Sequence, residues 1–169
     1  QLLAQFEQAD AEHILHLQQR YEIEAQNLNA LAYPVKKMWL KLLTHLPDLS
    51  QQHDDLALHL LVEQFDQDVF YLWFQHQLLK QNPNYMAVEQ QLNQFEVQYP
   101  GIPVFTFVRW HIYTATERME EANQLLDLYP DNILMNYLRV KAALNGNESL
   151  IQQLNSIYEK DTNFIAFKL

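Results

Sequence analysis

The fold is decided near the end of the chain by residues 120–132, which read EEANQLLDLYPDN. Ala122 and Leu125 precede the aromatic Tyr129 by seven and four residues, so the three side chains share one face of an α-helix. Pro130 has no amide hydrogen and forces the residue before it out of the helical region. This combination predicts an amphipathic helix that ends at an aromatic residue and a turn.

The same pattern occurs at three other places. Apolar residues again stand seven and four positions before an aromatic that ends the helix; these closing aromatics, separated by 34, 30 and 29 residues, are Phe65, Tyr99, Tyr129 and Tyr158. Turn-forming residues separate the helices at 66–68, 82–84, 99–101, 114–116, 129–131 and 145–147. A period near 34 residues is typical of helical repeats, although an ordinary helical bundle would align some positions by chance. We expect an all-α fold in which antiparallel helix hairpins stack as an α-solenoid.

The composition also indicates helix and excludes several kinds of site. The 169 residues include two glycines, Gly101 and Gly146, which leaves little room for β-hairpin turns. For the same reason the chain cannot form a phosphate-binding loop, a dinucleotide-binding fingerprint or a nucleophile elbow. It contains no cysteine, which excludes disulfides and thiol catalysis.

The formal net charge of −10 is unevenly distributed. Residues 1–100 carry 5 Lys/Arg against 13 Asp/Glu, and residues 101–169 carry 6 against 8. The first part would repel a phosphate backbone, so nucleic acid is not expected as a partner. The short basic stretch with Lys36, Lys37 and Lys41 is expected to form the solvated face of one helix.

The first part of the chain lies outside the repeat pattern. Its spacing predicts one long helix, or two with a break near Asp10, which ends at Tyr33-Pro34. A short helix and a loop follow. We therefore expect an N-terminal part, residues 1–50, and repeats over residues 51–169, within a single continuous domain.

No apolar run approaches the roughly 20 residues of a membrane span, so this segment is not expected to insert into a membrane. The chain begins at Gln1 without an initiator Met, which we interpret as a processed or excised form. The absence of cysteine suits a cytoplasmic and a periplasmic location equally well.

The best-preserved repeat carries a family resemblance. Residues 120–122 and 125–132 resemble the second helix of a tetratricopeptide (TPR) repeat that runs into its closing proline. Residues 145–148, which read NGNE, resemble the glycine turn between the paired helices of the next repeat. The resemblance covers about residues 52–160, with larger residues at most of the close-packing positions. It implies a twisted TPR-like superhelix whose concave face binds a peptide or a partner helix.

Three polar side chains occupy one frame of these repeats. Gln75, Arg109 and Arg139 each follow a closing aromatic by ten residues. If stacked helices present this frame to a groove, the two arginines would align to bind carboxylates, with Trp110 and Tyr113 as aromatic anchors. The alternative is that both arginines are solvated on the outer face and that Trp110 belongs to the core.

Histidine offers the main prospect of metal chemistry. His13 and His16 are three residues apart on a predicted helix and could face one metal ion, but an exposed polar pair is the simpler interpretation. His76 and His111 lie beside aromatic core positions, so we expect them to be partly buried and hydrogen-bonded.

A second group, His53, Asp54, Asp55 and His59, has the composition of a metal site. The alternative is that Asp54 or Asp55 caps the helix that begins there, because acidic side chains suit the positive end of a helix. We favour the alternative and expect no bound metal or cofactor.

These observations favour a non-catalytic scaffold that binds a protein or peptide partner, with an acidic segment of the partner bound by Arg109 and Arg139. The alternative is a structural or oligomerisation module of a larger assembly, which would associate through an apolar patch. A helical metal-dependent enzyme comes third and would depend on the histidine and aspartate group around residue 54.

Overall fold

A computed structural model describes residues 11–162 of the chain, with side chains from residue 14 onward. Nine α-helices occupy this part, together with two 3-10 turns at Leu28–Ala30 and Pro47–Leu49. In chain order the helices are α1 (Ala11–Ala25), α2 (Tyr33–Leu43), α3 (Ser50–Glu63), α4 (Gln67–Leu78), α5 (Tyr85–Gln98), α6 (Pro103–Ala115), α7 (Met119–Leu125), α8 (Ile133–Ala143) and α9 (Glu148–Thr162). The prediction of an all-α protein is confirmed over these residues. None of these helices combines the length and the apolar character that crossing a membrane requires.

The chain divides into two compact units, Gln1–His76 and Gln77–Leu169. The boundary falls near the end of α4. The division of the chain into residues 1–50 and a repeat region from residue 51 onward stays a prediction.

The first unit contains the packed helices α2 and α3, and the Pro47–Leu49 turn also contacts α3. An aromatic pair holds α1 on α2: the ring centroids of Tyr21 and Trp39 lie 5.4 Å apart, and both side chains are buried. The indole Nε1 of Trp39 also donates a hydrogen bond of 2.7 Å to Glu24 Oε2. One tryptophan therefore anchors α1 by apolar contact and by a charge-assisted hydrogen bond.

The predicted end of the first helix is wrong. That helix ends at Ala25, and a 3-10 turn follows it. Tyr33 and Pro34, which were expected to end the helix, instead lie in the first turn of α2, after Ala32 in an extended conformation. Proline suits the first turn of a helix because the amide hydrogen that it lacks would have no partner there. The predicted helical residues before Ala11 lie outside the described residues.

Two lysines of α2 are not solvated as predicted. Lys36 is buried, and its Nζ forms an ion pair with the carboxylate of Glu63 at the end of α3. Lys37 Nζ lies 2.8 Å from Asp66 Oδ2, just before α4. A lysine can bury its hydrocarbon chain while its ammonium group reaches a carboxylate. These ion pairs therefore connect α2 with the last residue of α3 and with the loop that joins α3 to α4.

Asp66 is the centre of that connection. Its Oδ1 accepts hydrogen bonds from the backbone amides of Asp68 (2.9 Å) and Val69 (3.2 Å), which caps α4, and its Oδ2 accepts from Lys37 Nζ and from Tyr33 Oη at 3.1 Å. Burial by itself would raise the pKa of Asp66, but the hydrogen bonds from Lys37 and the Val69 amide outweigh it and lower the pKa. The carboxylate therefore stabilises the fold in its ionised form.

The second unit is organised around α6. Seven of its thirteen residues are buried and lie on several sides of the helix: Val104, Phe105, Thr106, Phe107, Val108, Trp110 and Ile112. Such a helix needs neighbours on several sides. α6 contacts α5, α7 and α8, and α8 in turn contacts α9. The helices of this unit therefore pack in sequence, with an additional contact between α6 and α8.

The end of α8 shows how a turn is encoded in this unit. Asn145 and Gly146 adopt left-handed backbone conformations, with φ of 48° and 77°. Glycine adopts this conformation without steric cost, and asparagine tolerates it better than most residues. The asparagine and glycine of the predicted turn thus end α8 before α9 begins at Glu148.

We predict that Asp66→Ala lowers the free energy of unfolding by about 2 kcal/mol, since it removes a helix cap and a charge-assisted hydrogen bond. Urea denaturation at pH 7 measures this value. Asp66→Asn, which keeps a cap acceptor and loses the charge, should show a smaller loss.

Because the folded-state pKa of Asp66 is lowered, the stabilisation should be present above the unfolded-state pKa of about 3.9 and disappear as the pH falls through the folded-state pKa. A loss that is equal at pH 7 and at pH 2 would contradict this account.

Candidate functional site

The five residues predicted to bind a partner are divided between the two units. Gln75 lies on α4 in the first unit, whereas Arg109, Trp110 and Tyr113 lie on α6 and Arg139 on α8 in the second. α6 and α8 contact each other, so the two arginines belong to packed helices. Gln75 is partly buried, and its Oε1 has no hydrogen-bond partner among the described residues. The binding role of all five residues stays a prediction.

Arg109 is paired with acidic side chains of α5. Its Nη1 lies 3.5 Å from Glu89 Oε1, and its Nη2 contacts Glu96 Oε2 and donates to Asn93 Oδ1 at 2.8 Å. The arginine side chain is only 11% exposed. Glu89 also pairs with Arg118 Nη2 at 2.8 Å, so Glu89 and Glu96 together balance two guanidinium groups. An acidic partner would have to displace these carboxylates in order to bind Arg109.

Arg139 has a different environment. Its Nη1 donates to Asn136 Oδ1 at 2.7 Å and to the Pro130 carbonyl oxygen at 3.1 Å, and its Nη2 donates to the Leu126 carbonyl oxygen. Among the described side chains, no carboxylate pairs with it. Neutral oxygen atoms hold the guanidinium in place and leave its positive charge unbalanced.

The two predicted aromatic anchors also differ. Trp110 is buried in the core, and its Nε1 has no hydrogen-bond partner within the described part of the chain. Tyr113 is partly exposed, and the guanidinium of Arg118 lies 4.0 Å from its ring centroid. Of the two rings, Tyr113 is thus the one that reaches the surface.

The histidine and aspartate group predicted around residue 54 does not come together as a set. Asp55 is exposed and accepts a hydrogen bond from Gln51 at 2.9 Å, and His59 Nε2 lies 2.9 Å from Glu63 Oε1. The prediction that Asp54 or Asp55 caps a helix is wrong, because α3 begins at Ser50 and both residues lie within the helix. Of the other pair, His13 lies outside the described side chains and His16 is exposed, as expected.

A different cluster forms instead, in which His53 and Asp54 of α3 meet His76 of α4. The two imidazole rings are stacked, with centroids 4.0 Å apart and planes at 22°. Asp54 Oδ1 lies 3.9 Å from His53 Nδ1 and 3.9 Å from His76 Nε2. Ser50 Oγ lies 2.8 Å from His76 Nε2, and Thr44 Oγ1 lies 3.4 Å from His53 Nε2. The hydrogen bond expected for His76 is confirmed, and the side chain, expected to be partly buried, is buried.

The spacing of the histidines did not predict this contact, although the sequence contains a signal for it. A three-residue loop, Gln64 to Asp66, joins α3 to α4. Residues at equal distances from the centre of such a loop lie side by side in a helix hairpin. His53 and His76 stand twelve and eleven residues from Phe65, the middle residue of that loop. Counting residues outward from the centre of the loop would have predicted that His53 and His76 are neighbours.

The second unit contains a histidine in a cationic environment. His111 Nδ1 lies 2.9 Å from the carbonyl oxygen of Phe107, so Nδ1 carries the hydrogen, and Lys141 Nζ lies 3.5 Å from Nε2. Lys141 also lies over the ring of Tyr137, 5.7 Å from its centroid. Burial, reinforced by the Lys141 charge and only partly opposed by the hydrogen bond to Phe107, lowers the pKa of His111 to about 4. The hydrogen bond expected for His111 is confirmed, and its imidazole is neutral at pH 7.

Comparison of the chain with protein-family models, with curated proteins and with solved structures finds no match. Its function therefore has to be inferred from the geometry of the chain. Two features stand out: the unbalanced charge of Arg139 in the second unit and the His53–Asp54–His76 cluster in the first.

We predict that Arg109→Glu lowers the free energy of unfolding by about 3 kcal/mol, because it places a third carboxylate beside Glu89 and Glu96 in a largely buried position. Chemical denaturation measures the loss. Arg20→Glu is the matched control: Arg20 is 51% exposed and, among the described side chains, pairs with Glu24 one turn away, so its loss should stay below about 1 kcal/mol. Equal losses for the two variants would show that the pairing of Arg109 with α5 does not stabilise the fold.

We predict that His111 makes the protein less stable in acid. Its folded-state pKa of about 4 lies below the unfolded-state value of about 6.5, so the unfolded chain binds more protons in this interval. Between pH 7 and pH 4, the wild-type chain should therefore lose up to about 3 kcal/mol of unfolding free energy relative to His111→Gln. Denaturation at several pH values measures the difference, and parallel pH profiles for the two proteins would contradict the low pKa.

Proposed function

We propose that the chain is a non-catalytic, tetratricopeptide-like helical scaffold that binds a protein or peptide partner through an acidic segment. The observation that carries this proposal is the packing of α6, which contacts α5, α7 and also α8, two helices further along the chain. In stacked helix hairpins, each helix contacts its hairpin partner and the equivalent helix of the next hairpin. The contact between α6 and α8 fits this arrangement, and proteins of this kind use their extended surfaces for binding.

The exposed face of α8 supplies the contacts that a partner would need. Ile133 and Val140 are 41% and 42% exposed, and Asn136 between them is exposed as well. Their spacing of three and four residues places all three on one face of the helix. Arg139, next to Val140, is held by Asn136 and keeps an unbalanced charge. Apolar side chains beside this charge fit a partner segment that carries both carboxylates and apolar residues.

The two arginines of the repeat frame have separate roles in this proposal. Arg139 binds a carboxylate of the partner. Arg109 acts within the chain, because its ion pairs with Glu89 and Glu96 connect α6 to α5. A charge reversal at Arg109 would therefore change stability and binding together, whereas Arg139 tests binding more directly.

We predict that Arg139→Glu lowers the recovery of the partner at least ten-fold, since it replaces an attractive charge with a repulsive one at the contact. The measurement is an affinity capture from the source lysate, quantified by mass spectrometry, with the wild-type chain and the variant as baits. Arg20→Glu is the matched control, because it makes the same charge change on α1 in the first unit. It should recover the partner as well as the wild type does.

Two results would contradict the proposal. Equal recovery of the same proteins by the wild-type chain and by Arg139→Glu would exclude Arg139 from the binding face. Recovery of the chain alone, with sedimentation that depends on its concentration, would favour the assembly module instead. Analytical ultracentrifugation of the purified chain measures that self-association.

A further inference from the structure

His53 has a ring nitrogen for which the described part of the chain provides no hydrogen-bond partner. The residue lies on α3 in the first unit, and its side chain is 0% exposed. Its Nδ1 has no hydrogen-bond partner among the described residues, and Asp54 Oδ1, at 3.9 Å, is too far away to form one. A buried polar atom without a partner costs free energy, so its position calls for a physical explanation.

The other ring nitrogen determines which form of the imidazole is present. His53 Nε2 faces Thr44 Oγ1 at 3.4 Å, and the Thr44 hydroxyl donates its own hydrogen to the Leu40 carbonyl oxygen at 3.1 Å. Thr44 Oγ1 can therefore only accept from His53, so Nε2 carries the hydrogen and Nδ1 presents a bare lone pair. Metal-binding histidines show this arrangement, because a hydrogen bond from one ring nitrogen orients the other toward the ion.

Two further ligand atoms lie beside this lone pair. One ligand atom from each of His53, Asp54 and His76 can be chosen so that all three lie within 4.8 Å of one another. Zn²⁺ binds such atoms at about 2.0–2.2 Å, which places tetrahedral ligand atoms about 3.3 Å apart. To bind one ion, both imidazole side chains must rotate out of their stacked arrangement, so that their in-plane lone pairs converge and the ligand atoms come closer together. Asp54 and His76 are 16% and 11% exposed, so two of the three ligand side chains reach the surface.

We propose that His53 Nδ1, His76 Nε2 and Asp54 form a binding site for one divalent transition-metal ion of the Zn²⁺ class. Two imidazole nitrogens and one carboxylate suit Zn²⁺, Co²⁺ and Ni²⁺, whereas Ca²⁺ and Mg²⁺ prefer sites composed entirely of oxygen atoms. Ser50 Oγ, which contacts His76 Nε2 at 2.8 Å, gives up this contact when the ion binds. A bound ion would link α3 to α4 and so stabilise the first unit.

The experiment is a titration of the 169-residue chain, freed of metal with a chelator, with ZnCl₂ in a calorimeter and with CoCl₂ in a spectrophotometer. We expect one saturable Zn²⁺ site per chain, the visible absorption of tetrahedral Co²⁺ and a higher melting temperature with Zn²⁺. Asp54→Asn preserves the shape of the side chain and should weaken binding at least ten-fold. The double variant His53→Gln/His76→Gln should lose the site.

Two further variants separate this site from other causes of binding. Thr44→Val keeps all three ligands but removes the acceptor for His53 Nε2, so it should weaken Zn²⁺ binding about ten-fold or more. His59→Gln removes an imidazole that lies on the same helix and pairs with Glu63, so its affinity should equal that of the wild type. Circular dichroism establishes that each variant is folded.

Two outcomes would overturn the proposal. One is the absence of saturable Zn²⁺ binding by the wild-type chain. The other is binding that survives both Asp54→Asn and the double histidine variant, which would place the ion on surface histidines such as His16. In either case the cluster would be a polar element of the core and no metal site.

Discussion

The apolar side chains of α6 are buried on several sides of the helix, and the architecture of the second unit depends on covering them. Each large apolar side chain contributes about 1.5–3 kcal/mol when it leaves water, so α6 is stable only with neighbours. α5, α7 and α8 provide these neighbours, which explains why α6 contacts both adjacent helices and a third one. At the edge of this packing, Arg109 of α6 pairs with Glu89 and Glu96 of α5. Apolar packing places these two helices together, and the ion pairs follow from it.

The positions of the helices could largely be predicted from the sequence because their signals are local. Two predicted helix ends are wrong, however: α7 ends at Leu125, four residues before Tyr129, and α9 continues past Tyr158 to Thr162. Asn84 stands in a predicted break and Asn132 directly follows one, and each accepts a hydrogen bond from a backbone amide in the first turn of the next helix. Proline was harder to interpret, because it ends one helix as readily as it begins another; Pro34 does the latter. The start of α3 at Ser50 was missed because a 3-10 turn precedes it, and no cap residue marks its first position.

The environment of the candidate site residues could be predicted only in part, because the partners of a side chain lie on other helices. Arg109 and Arg139 occupy the same frame of the repeat pattern, yet α5 presents two carboxylates to the first, and carbonyl oxygens surround the second. Periodicity specifies the face of a helix and says nothing of the charges on the helix opposite. The contact of His53 with His76 could have been predicted, since a short loop determines which residues of a hairpin lie side by side.

The buried histidine at position 53 destabilises the first unit if packing is its only role. Leu56, Ala57 and Leu60 of the same helix are buried without any need for a hydrogen bond, and an apolar residue at position 53 would remove the unsatisfied nitrogen. Thr44 accepts from one ring nitrogen, which leaves the other as a lone pair beside a carboxylate and a second imidazole. A bound cation would interact favourably with this lone pair and so offset the free-energy cost of burying it. The cluster lies in the first unit and the exposed face of α8 in the second, so ion binding and partner binding draw on different residues. Loss of one by mutation therefore need not remove the other.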